Sequence, residues 1–163
     1  MAKKRLTTKE LGIYKNEITT ALYKNENIRE ILLGDTSKMA QREIMEEFKK
    51  HVKSHLFIDE TVIDADSFIY YDVIAPNLQN NIKQCKVIIY AICHRDIIDD
   101  GYAKDGYYGN RADIIEQMIE EALLDEDVVN NFGIGELKLD SIGIYNATRF
   151  YGRIMEYIVP NFR

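Results

Sequence analysis

Phe150-Tyr151-Gly152-Arg153-Ile154-Met155-Glu156-Tyr157-Ile158-Val159 is the stretch whose reading decides the fold. It is rich in β-branched and aromatic residues, carries charge only at Arg153 and Glu156, and is followed by Pro160. Such a run predicts one long strand, from Arg149 to Val159, that the proline ends. Just before it, Glu136 to Tyr145 alternates polar and apolar residues and turns at Asn146-Ala147, which predicts a neighbouring strand.

Working outward, residues 111–124 predict the best helix of the chain. Ile114, Ile115, Met118, Ile119, Ala122 and Leu123 form one apolar face, with Glu116, Glu120 and Glu121 pointing away. Asn110 is placed to cap it, with Asp113 in the first turn. Burying the larger of these side chains, at about 1.5–3 kcal/mol each, makes this helix the anchor of the core. Before it, Phe68–Ile74 and Lys86–Cys93 read as strands joined by a polar turn, and therefore as an antiparallel hairpin. Lys86–Cys93 is apolar on both faces, so it is expected to be central and covered on two sides.

The first third has helical periods. Helices are expected over 7–23, with Thr7 and Glu10 at capping-box spacing, over 27–33, stopping at Gly34-Asp35, and from Thr36 or Ser37 to about His55. The expectation is an α+β fold: a mostly antiparallel four-stranded sheet, one packed amphipathic helix at 111–124, and an N-terminal helical arm. The division is an arm at 1–60 and an α+β domain at 61–163. The second sheet face needs a cover, from the N-terminal helices or from another subunit.

Charge is divided unevenly. Residues 1–55 hold twelve Lys and Arg against eight Asp and Glu, a net of +4, and residues 56–163 hold nine against nineteen, a net of −10. The total of −6 argues against a nucleic-acid coat, and the asymmetry suits contact between neighbouring copies or a basic arm placed against a polyanion. Cys85 and Cys93 lie about 26 Å apart along an extended strand. That is beyond disulfide reach and predicts buried free thiols of a reducing compartment. No secretory signal and no membrane span are expected.

Catalytic patterns are incomplete. His51 and His55 are spaced to share a metal on a helix, with Asp59 or Glu60 as a third ligand, but Val52 stands where a zinc-protease helix needs Glu. Glu136-Leu137-Lys138, with Asp99 or Asp100, matches half of a divalent-metal nuclease pattern and equally an ordinary half-exposed strand. Gly133-Ile134-Gly135 lacks the third glycine of a dinucleotide loop. No catalytic residue, cofactor or metal is expected. The 99–109 loop has Gly101, Gly106 and Gly109 for freedom and Tyr102, Tyr107 and Tyr108 for adhesion, and reads as a partner-binding loop that orders on assembly. With Arg111 and Arg153, these tyrosines are the candidate interface residues.

From Ser67 to Arg163 the chain resembles the tail terminator, or head–tail joining, proteins of tailed bacteriophages. The likeness lies in the Phe68–Ile74 and Val87–Cys93 hairpin, the loop, the Ala112–Leu124 helix, the Gly133–Tyr145 strand and the closing Tyr151–Tyr157 strand. The helical arm is a departure from the family. The resemblance implies a structural virion protein of the neck, assembled in the host cytoplasm, that forms a ring, commonly a hexamer. Such a ring terminates the tail tube and joins the head connector. Its partners are copies of itself, tail-tube and connector or neck proteins, with DNA passing through the lumen without specific binding. An acidic body around that lumen would repel DNA. The alternatives are a metal-dependent nuclease or a cytosolic protein-binding module.

Overall fold

The computed structural model describes residues 8–62, 64–77, 84–99, 102–125 and 137–159. Helices α1 (Thr8–Lys24), α2 (Glu26–Leu33) and α3 (Gln41–His51) precede strands β1 (Val52–Lys53), β2 (Ser67–Asn77) and β3 (Gln84–His94). Helix α4 (Arg111–Leu124) and strands β4 (Lys138–Asn146) and β5 (Phe150–Val159) complete the order. The expected 111–124 helix is present with its cap. The Asn110 side chain accepts from the Asp113 amide, and the Asp113 carboxylate accepts from the Asn110 amide, each at 3.0 Å. Gly109 leads into this cap at φ 103°, where a side chain would strike Asp113. Thr7, half of the capping pair expected for α1, lies outside the described residues, as do Gly133, Ile134 and Gly135.

The sheet has five strands in the order β1-β2-β3-β5-β4, a correction to the four expected. The added strand comes from residues assigned to a helix. α3 starts later than expected, at Gln41, and stops at His51, where β-branched Val52 turns extended (φ −121°, ψ 113°) and is buried. Val52 and Lys53 pair in parallel with Ile69 and Tyr70. The other pairings are antiparallel: β2 with β3, β3 with β5, and β5 with β4. The hairpin and the central place of β3 are as expected.

One sheet face carries Ile69, Tyr71, Val73, Val87, Ile89, Ala91, Met155 and Tyr157 and packs on α4. α1, α2 and α3 contribute Ile18, Leu22, Ile28, Ile31 and Phe48 to this same core, so they share α4's side of the sheet. Helix α1 is also held to the sheet through the Tyr71 hydroxyl, which donates to the Lys15 carbonyl at 2.6 Å and bonds Thr19. On the opposite face, Phe68, Tyr70, Ile92 and Phe150 are covered by Leu56, Ile58 and Val62 from the segment after β1. Beyond that cover, Ile88, Tyr90, Ile154 and Ile158 are half-buried.

Both cysteines are free and buried, and burial pushes each thiol up to about 11. Burial likewise raises Tyr70 and Tyr71, and drives Tyr14 and Tyr157 further. Groups that hold their protons more tightly when folded stabilise fully below their unfolded pKa and lose that contribution as pH rises. Unfolded thiols and phenols titrate near about 8.5 and 10. The melting temperature is therefore expected to stay level up to about pH 8 and to fall steadily from about pH 9 to 11. Differential scanning fluorimetry across buffers checks this, and a level profile to pH 11 would contradict it.

Candidate functional site

The 102–108 segment is tied back onto the helices at two of its three tyrosines. Tyr107 sits between the Asn27 amide, which donates to its hydroxyl at 3.0 Å, and the Glu121 carboxylate, which accepts from it. Tyr102 packs against the core, with the Arg111 guanidinium 5.8 Å from its ring centre. Lys104 reaches Glu30 at 3.0 Å and holds that carboxyl below its ordinary range. Tyr108 alone of the three projects, 77% exposed, while its backbone is clasped by the Gln117 side chain. Gly101 and Asp100 lie outside the described residues.

The two arginines work inside the chain. Arg111 donates to Ser67 Oγ at 2.7 Å and to the Ile31 carbonyl at 2.6 Å, fastening α4 to the start of β2 and the end of α2. Arg153 on β5 donates to Asp113 at 3.0 Å, with Glu116 at 3.8 Å. The structure thus brings Tyr102 and Arg111 together, and Arg153 stands apart on the α4–β5 seam.

A surface that the sequence reading passed over lies at β4. This strand is a sheet edge, and its residues Ile142 and Ile144 are 50% and 60% exposed on the helix-side face. They share that face with Leu139 because Asp140 is an extra residue between Leu139 opposite Tyr157 and Ser141 opposite Glu156. Without the bulge, Leu139 and Ile142 would point to opposite faces. The signal in the sequence was Ile-Gly-Ile at 142–144, two apolar residues at strand spacing. Nearby, burial raises the Glu116 carboxyl, Arg153 opposes the rise, and Asp113 and Glu120 add to it.

The far side of the sheet is built differently. Along β2, the Val73 amide is occupied by the Asp72 carboxylate at 2.8 Å, which also meets Lys15 at 2.7 Å. Further on, Pro76 has no N–H to offer. These features blunt that edge against strand addition. Next to it, β1 borders a cleft of about 490 Å³ between α1 and α3. Tyr23, Met45 and Val52 supply apolar lining, Lys49, Lys53 and His55 supply basic groups, and no acid lines it.

The residues of the incomplete catalytic patterns are dispersed. His51 Nδ1 meets the Ser67 carbonyl at 2.9 Å and its ring stacks on Phe68, whereas His55 lies past the helix end and accepts from the Phe57 amide. Glu136 lies outside the described residues, and Asp99 and Lys138 are exposed. Among the described residues no group of three or more His, Cys, Asp or Glu is gathered to hold a metal, and no helix is long and apolar enough to cross a membrane.

No curated protein and no solved structure matches the chain. One family model does, that of YomW, over residues 15–159, which runs from within α1 to the end of β5. That span is most of the polypeptide, and the chain therefore belongs to the YomW family, a phage-derived family named after a gene of the SPbeta region of a Bacillus phage.

Proposed function

We propose that this phage-family protein is a structural component of the virion neck, a homo-oligomeric ring that terminates the tail tube and joins it to the head connector. The observation that carries this reading is β4, an edge strand among the described residues, with Ile142 and Ile144 exposed on it. An unprotected edge strand with apolar side chains invites pairing with another chain, and monomeric proteins usually blunt such an edge. The half-buried Ile88, Tyr90, Ile154 and Ile158 on the face away from the helices offer a second surface of the same kind. A ring needs two different patches per copy, because only head-to-tail contact closes around an axis. The basic first third and the acidic remainder suit that arrangement.

The test is assembly of purified protein with isolated tail tubes, followed by negative-stain imaging and sedimentation. Rings seated at tube ends, and tails made competent to join filled heads, are the expected result. Tails that mature normally in a phage deleted for this gene would overturn it.

A further inference from the structure

We infer that copies of this chain join through the two ends of their sheets, the β4 edge of one entering the cleft beside β1 of the next. This inference rests on the ring reading and names its contact. The two edges are four strand spacings apart, roughly 19 Å, on opposite sides of the molecule. One is an open strand with projecting isoleucines. The other is the acid-free cleft bordered by Lys49 and Lys53.

Strand directions agree with the contact. β1 runs parallel to β2, and three successive antiparallel steps lead from β2 to β4. In copies that share one orientation, β4 of the first is thus antiparallel to β1 of the second. A sheet continued this way keeps each face on its own side. Ile142 and Ile144 then point to the helix side, where Tyr23 and Met45 line the cleft. Exposed Asp140 at the bulge is the acid that Lys49 or Lys53 can meet. β1 supplies only two residues of ladder, so the side chains in the cleft carry much of the contact. The blunted outer edge of β2 keeps the incoming strand from sliding further along the sheet.

The experiment uses the full chain and three variants: Ile144→Lys, Asp140→Arg and Lys53→Glu. Circular dichroism and melting first establish that each is folded. Sedimentation velocity then measures self-association. Wild type is expected to assemble, and each variant to self-associate at least about 30-fold more weakly. Mixing Ile144→Lys with Lys53→Glu leaves one intact contact per pair, so heterodimers are expected and no larger species. Wild-type rings with Ile144→Lys and Asp140→Arg assembling equally well would overturn the contact and leave the ring reading standing. A Lys53→Glu protein that still dimerises through β4 would show a symmetric contact and also overturn the inference. Wild type that stays monomeric at its highest soluble concentration would sink this contact and count against the ring as well.

Discussion

Gly152→Ala is expected to destabilise the protein by at least about 3 kcal/mol. A Cβ at Gly152 would stand 2.0 Å from the Ala91 carbonyl oxygen and 2.7 Å from the Ile92 Cα. Both are backbone atoms of β3, the central strand, and cannot turn aside as a side chain would. Relief requires the β3–β5 ladder to part where Gly152 pairs with Ile92. Gly143 on β4 is the internal control, because a Cβ there would meet its nearest neighbour, the Ile154 Cβ, at an ordinary 3.8 Å. Gly143→Ala should change stability by less than about 1 kcal/mol. Urea unfolding curves for the two variants check the pair, with the difference read from the midpoint at constant slope. Equal effects at the two positions would contradict the argument.

Phe48→Ala is expected to cost about 3–5 kcal/mol. Phe48 is fully buried at the end of α3 and meets Tyr23 of α1 edge-on, with ring centres 5.2 Å apart. Its surroundings belong to the same core as the α4 and sheet residues. The loss should lower a single cooperative transition, seen together by helix and sheet probes. Calorimetry alongside tyrosine fluorescence measures this. An early melting of helix with the sheet signal retained would mean that the first helices fold as a separate unit.

The elements that could be read in advance share a local cause. The six apolar residues of α4 recur at helical spacing, and Asn110 and Asp113 close its first turn with bonds three residues apart. The β2–β3 and β4–β5 pairs follow from strand-forming runs separated by short segments rich in polar residues. β1 offered no such signal, since two residues have no period, and Val52 and Lys53 follow a helical run without a breaker. The candidate interface residues show the same limit from another side. Tyr107 and Arg111 look adhesive in isolation, and their partners Asn27, Ile31 and Ser67 lie far away in the chain. Only folding could reveal that they are engaged within it.

The amino-acid order by itself determined the α+β class, the antiparallel pairing of the long strands and the packing face of α4, because periodicity, caps and turns act over a few neighbouring residues. The tertiary structure decided the rest. It placed α1, α2 and α3 on α4's side of the sheet, added β1 at one end, and through the Asp140 bulge set Ile142 and Ile144 on the helix-side face beyond the helices' cover. A side chain's spacing says which way it points from its own strand or helix. What it meets there depends on elements distant in sequence, and that is why the exposed β4 edge emerged only with the fold.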